Sequence, residues 1–161
     1  MHLANKVNLK KHDFTRNVCI GLVDGLTIPL ALASALSRLF THSSSVIIAC
    51  LAASLAGALT MTAGGYIEGR KYNGKNSTRS AIIIGAAYFS GGLVAVIPYF
   101  INEYPLVALR YAAVISMTIL FFAGYWESKL NGSNGWINAV RVCITAGVAA
   151  VAAFLIAKLF S

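Results

Sequence analysis

Three side chains within otherwise apolar stretches of this sequence are of types that bind cations. Asp24 lies in the stretch GLVDGLTIPLAL, and Met61 and Glu68 lie in the stretch AGALTMTAGGYIEGR. A carboxylate inside a long apolar segment is costly, so it usually faces the interior of a helix bundle or a water-filled cavity. The alternative for Asp24 is a position near the end of its segment, where it is solvated or caps a helix.

A proline close to Asp24 adds a second candidate ligand. Pro29 has no backbone N–H, so it leaves the carbonyl of Gly25 without its helical partner and predicts a break in the helix. A carboxylate and a freed carbonyl side by side suit a hard cation or a proton path.

Met61 and Glu68 are seven residues apart, which places them on one face of a helix about two turns from each other. A thioether favours the softer divalent metals over magnesium or calcium. A methionine in an apolar helix is more often a core-filling side chain, and Glu68 has the alternative of a solvated charge near the helix end. Around them, Gly57, Gly64 and Gly65 predict close approach between helices.

The elements that position these residues follow from the composition. Of 161 residues, 58% are hydrophobic and 11% charged, against a usual charged share of about 25%, and the mean hydropathy is +0.72. Each of five apolar runs approaches or exceeds the length needed to span a bilayer, and none alternates as a barrel strand does. The sequence therefore predicts an all-α integral membrane protein, one transmembrane domain over residues 1–161. Its five helices are expected at about 18–40, 46–67, 80–101, 106–125 and 137–160.

The net charge of +8 is distributed at the ends of these runs. Basic residues cluster before the first run, between the second and third, and around the break before the fifth; they are Lys6, Lys10, Lys11, Arg16, Arg70, Lys71, Lys75, Arg79, Lys129 and Arg141. Since cytoplasmic loops of membrane proteins carry excess Lys and Arg, we expect the N-terminus to be cytoplasmic and the C-terminus to lie on the opposite side.

Several other classes of function are disfavoured. Nucleic-acid binders gather basic residues on a polar face, which is not the pattern here, so we expect no nucleic-acid partner. The sequence has no nucleophile–histidine–acid arrangement, phosphate loop or haem motif, which argues against an enzyme and a permanently bound cofactor. Its three cysteines lack the spacing of a disulfide framework or a zinc site.

The sequence resembles the vacuolar iron transporter family. The resemblance is carried by GLVDGLTIPLALASALS, AGALTMTAGGY and GAAYFSGGLVAVIPYF, and continues through LFFAGYWESKL and AGVAAVAAFLIAKLF. It implies a five-helix homodimer that exports iron(II), and often manganese(II), from the cytosol in exchange for protons. It also implies a metal path at the dimer interface between the first and second helices, with Asp24 and Met61 as ligands.

The sequence departs from the family pattern in three places. Ala53 stands where transporting members have a glutamate, Gly64-Gly65-Tyr66 where others have Gly-Glu-Tyr, and only residues 70–79 connect the second and third helices, where the family has metal-binding helices. Glu68 is a candidate to replace part of the missing charge. The alternatives are a transport-inactive scaffold or metal-sensing partner, and a carrier of protons with a small organic cation. The short connections favour a bacterial inner membrane over a vacuole-type organelle.

Overall fold

The computed structural model describes residues 2–72, 77–130, 132 and 134–160. Within these ranges the chain forms five α-helices and no strand: α1 His2–Leu39, α2 Ser43–Tyr72, α3 Ser77–Ile101, α4 Pro105–Leu130 and α5 Gly135–Leu159. All five are long and apolar enough to cross a membrane. The predicted all-α membrane fold is therefore confirmed.

The helices continue past the predicted apolar runs by about five residues or more at three ends. α1 begins at His2 instead of near Val18, α2 continues to Tyr72, and α4 continues to Leu130. The apolar runs reflect the hydrocarbon thickness, whereas a helix can continue into water, where its polar side chains are solvated. These three extensions carry or adjoin the basic clusters.

The sequence predicts a helix break at Pro29, but α1 continues through this residue as one helix. Pro29 is fully buried, and its carbonyl accepts a hydrogen bond from the Cys50 thiol of α2 at 3.8 Å. Packing against neighbouring helices supports the backbone on both sides of the proline, which is how membrane helices commonly tolerate this residue.

α3 packs against both α1 and α2 through glycines that allow near contact of backbones. A Cβ at Gly21 or Gly25 of α1 would overlap the carbonyl oxygen of Ile84 or Tyr88. On the other side of α3, a Cβ at Gly85 would overlap the Thr62 hydroxyl of α2. Without a hydrophobic driving force inside the bilayer, such close van der Waals contact is a main source of helix association.

α4 and α5 complete the bundle. One core cluster joins α1, α2, α3 and α4; it consists of Leu30, Ala33, Val46, Cys50, Val96, Tyr99, Ala108 and Ala112. Hydrogen bonds also connect helices: Ser34 donates to the carbonyl of Ala150 at 2.6 Å, and the Ser37 and Tyr99 hydroxyls are 2.8 Å apart. α5 is the outermost helix and buries few residues besides small alanines.

Candidate functional site

One face of α2 carries most of the residues that the sequence singled out. Gly57, Met61, Gly64 and Glu68 follow one another at helical spacings of four, three and four residues. Gly57 and Met61 are half-buried, whereas Gly64 and Glu68 are exposed. This face therefore runs from the interior of the bundle to its surface at the basic end.

The part of this face toward the C-terminal end of α2, from Met61 to Glu68, forms one wall of an open cleft of about 600 Å³. The start of the apolar part of α1, the end of α2 and the start of α3 enclose it. Its lining residues are Arg16, Asn17, Ile20, Thr60, Met61, Gly64, Gly65, Glu68, Gly69, Ser77, Ser80 and Ile84. The structure thus brings Met61 and Glu68 into one cleft.

The cleft offers oxygen and sulfur atoms of the kinds that divalent metals accept. The Thr60 hydroxyl donates to the carbonyl of Ala56 at 2.9 Å, and the Ser77 hydroxyl donates to the carbonyl of Tyr66 at 2.7 Å. Each hydroxyl proton is thereby directed away, and the oxygen keeps lone pairs for another partner. Together with the Glu68 carboxylate and the Met61 thioether, this set suits a metal of intermediate softness.

Asp24 lies outside the cleft lining, one helical turn beyond Ile20 on the same side of α1. Its carboxylate is half-buried and close enough to Tyr88 of α3 for an electrostatic interaction. The ring of Tyr88 in turn lies against Gly57, with ring atoms and the hydroxyl 2.5 Å from the position that a Cβ there would take. Tyr88 therefore connects the level of Asp24 in α1 with the level of Gly57 in α2.

Comparison with known proteins gives this arrangement a context. The family model described as the VIT family matches residues 15–73 and 68–158, which together reach into all five helices. The chain belongs to the VIT family.

Named relatives include Vacuolar iron transporter 1 of Tulipa gesneriana, which is 25% identical over 91% of this chain and 87% of its own length. Vacuolar iron transporter cccA of Arthroderma benhamiae is 26% identical, over 86% of this chain and 77% of its own. Protein CCC1 of Saccharomyces cerevisiae is also 26% identical, over 89% of this chain and 68% of its own. The names of the tulip and Arthroderma relatives describe vacuolar iron transporters.

The alignment with the tulip protein extends over 214 positions, more than the 161 residues of this chain, so that relative carries residues that this VIT-family chain lacks. The two matched pieces of the family model meet at 68–73, the end of α2. The connection that follows includes residues 73–76, which lie outside the described residues. The interruption of the match thus falls where the resemblance implied a missing segment.

The glycines differ in what they contact. Gly57 lies against the ring of Tyr88, and a Cβ at Gly65 would lie 3.3 Å from the Cα of Ala81, so both serve the packing of α2 on α3 within one chain. Nothing lies within 4 Å of a Cβ at Gly64. Of these three glycines, Gly64 is the one whose surface is open to a second molecule.

Tyr88 is the site residue that the sequence reasoning did not select. The signal was present: a polar aromatic side chain stands in the stretch GAAYFSGG, surrounded mostly by small residues. What was missing was its spatial relation to Asp24, which lies on another helix. Among the described residues, no group of three or more histidine, cysteine or acidic side chains forms a metal cluster. Asp24 and Glu68 therefore do not belong to a cluster of three such side chains in the described part of the chain.

Proposed function

We propose that this protein transports divalent transition metals, iron(II) or manganese(II), out of the cytosol along the gap between α1 and α2. The observation that carries the proposal is the cleft in which Met61 and Glu68 meet, together with Asp24 one helical turn beyond it. A cation entering the cleft would meet carboxylate, hydroxyl and thioether ligands first. It would then pass to the Asp24 carboxylate beside Tyr88.

The proposed path includes a second copy of the chain. Two copies related by a two-fold axis would double each ligand, so that Asp24 and Met61 supply four ligands instead of two. The exposed surface of Gly64 supports a partner at this face. Carboxylates in membrane helices commonly form proton relays, which supports protons as the coupling ion.

The orientation follows from the cleft and the charges. The cleft opens at the end of the molecule that carries Arg16, Arg70 and Arg79. If this basic end is cytoplasmic, the cleft is the entrance for cytosolic metal. The printed names of the tulip and Arthroderma relatives refer to the vacuole, whereas the short connections of this chain support the bacterial inner membrane.

Transport of Mn²⁺ and Fe²⁺ into liposomes tests the proposal, with Ca²⁺ as the comparison ion. The substitution Thr78→Cys at an exposed position, in a variant without Cys19, Cys50 and Cys143, reports the orientation through an impermeant maleimide. We expect uptake of Mn²⁺ and Fe²⁺ by the wild type, and loss of most of it in Asp24→Asn, whose amide keeps the shape but not the charge.

Two results would contradict the proposal. Wild-type liposomes that take up no more metal than empty ones would exclude transport. Labelling of the Thr78→Cys variant from outside intact cells would exclude the cytoplasmic entrance. If wild-type liposomes took up no metal and Asp24→Asn bound metal as the wild type does, the alternative would be a transport-inactive membrane scaffold. The alanine at position 53 favours this alternative.

A further inference from the structure

A positive charge lines the cleft through which the metal is proposed to enter. Arg16 of α1 is in the same lining as Glu68 and Met61 of α2. Arg16 and Glu68 are the two charged side chains of that lining, and their charges cancel. A divalent cation therefore meets a cleft lining whose two charges cancel, in contrast to clefts that concentrate cations through charge of one sign.

Both charged side chains have freedom to move. Arg16 and Glu68 are exposed, and each has a long flexible stem on its helix. A guanidinium matches a carboxylate in geometry, with two parallel N–H donors for two oxygens. The two side chains line one cleft without an ion pair between them among their described contacts, so pairing depends on rotation of these side chains.

We propose that Arg16 is a tethered competitor of the metal for Glu68, which pairs with this carboxylate in the empty cleft and is displaced when a divalent ion arrives. This inference rests on the proposed function. In this role Arg16 weakens metal binding at Glu68, so that the ion moves on toward Asp24. Conduction requires such a balance, since each site must bind strongly enough to admit the ion and weakly enough to release it.

The expected size of the effect follows from the strength of exposed ion pairs. Such a pair favours its paired state by at most about fivefold, and an arriving metal has to overcome that preference. Arg16→Gln should therefore lower the dissociation constant and the KM for Mn²⁺ by up to about fivefold, without raising the maximal rate. A substitution that affects only metal binding changes KM and does not raise the rate at which the bound ion moves on toward Asp24.

The experiment compares full-length variants in Mn²⁺ binding, measured by electron paramagnetic resonance, and in liposome uptake. Arg16→Lys keeps the charge but not the two parallel donors, so its affinity should lie between those of the wild type and Arg16→Gln. Arg79→Gln removes the same charge from an exposed position at the same end but outside the cleft lining, so it should remain near the wild type. An equal gain in affinity for Arg79→Gln would overturn the proposal, because the effect would then come from net charge.

A second comparison separates competition from simple repulsion. In a Glu68→Gln background the carboxylate for which Arg16 competes is gone, so Arg16→Gln should change Mn²⁺ affinity less than in the wild type. Equal effects in both backgrounds would overturn the inference. Tighter binding by Arg16→Gln without uptake by any variant would support the competition and contradict the proposed transport. Absence of Mn²⁺ binding in every variant would overturn both.

Discussion

Asp24 and Glu68, the two carboxylates along the proposed path, have different surroundings. Glu68 is exposed at the cleft, whereas Asp24 is half-buried beside Tyr88. The spacing of Met61 and Glu68 was sufficient to predict that they share a face, because both belong to one helix. The neighbour of Asp24 was not predictable in the same way, because Tyr88 belongs to α3 and the crossing of two helices determines its position.

At the residue scale, position 53 offers a gain-of-function test. Ala53 of α2 is half-buried, one turn before Gly57 and about two turns before Met61, so all three are near one face. We expect Ala53→Glu to tighten Mn²⁺ binding by about tenfold or to raise its uptake, since a dimer would gain two carboxylates on the path. Mn²⁺ titration and liposome uptake are the measurements.

The matched control for this substitution is Ala53→Gln, which adds nearly the same volume without charge. If Ala53→Glu lowered the thermal stability and left metal binding unchanged, the new carboxylates would be buried without a metal or another partner to compensate their charge. That outcome, combined with wild-type behaviour of Asp24→Asn, would support the scaffold.

At the scale of the elements, α3 holds α1 and α2 in place. Gly91 and Gly92 of α3 face opposite sides: a Cβ at Gly91 would lie 2.9 Å from the backbone of Gly25, and one at Gly92 would overlap the Ser54 hydroxyl. The abundance of small residues predicted close packing of helices. The pattern of small residues did not predict that Gly57 and Gly65 pack within the chain, because it does not indicate which helix packs against each glycine.

A pair of glycine substitutions tests this packing. Gly85→Ala would place a methyl group on the Thr62 hydroxyl and 2.7 Å from the carbonyl of Ala58, so we expect it to destabilise the fold by about 1–3 kcal/mol. Gly64→Ala meets nothing within 4 Å and should be neutral or gain roughly 0.5–1 kcal/mol from reduced backbone freedom. Thermal unfolding in one detergent measures both. Equal midpoints for the two variants would contradict the α2–α3 contact.

At the scale of the whole molecule, the question is what covers the outer face of α2. Its large apolar side chains are well exposed, with Ile48 at 69%, Leu55 at 54% and Leu59 at 64%. Lipid or a second copy of the chain can cover such a face. The homodimer stays a prediction. Gly64 lies on the opposite face, which also carries Met61 and Glu68, and is better suited than Gly57 to test a dimer through that face, because Gly57 is already in contact with Tyr88.

We expect Gly64→Leu to weaken the dimer at least tenfold while the single chain keeps its fold, since the leucine side chain would extend into space that one chain leaves open. The dimer fraction at increasing detergent dilution is the measurement, and far-ultraviolet circular dichroism verifies the fold. Ile156→Leu on the exposed face of α5 serves as the control. A dimer unaffected by Gly64→Leu, or one that crosslinks only between α5 helices, would place the interface elsewhere.

The glycine contacts of α3 also bear on how the protein can move. Backbones that touch at Gly21, Gly25 and Gly91 on one side, and at Gly85 on the other, leave little space for sliding or rocking of α1 and α2 against α3. Alternating access in transporters commonly comes from rigid bodies that rock against one another. In this chain α1, α2 and α3 would behave as one such body. If the chain forms the predicted homodimer and transports metal, the motion that opens and closes the path would occur between the two copies, so each copy would depend on the other.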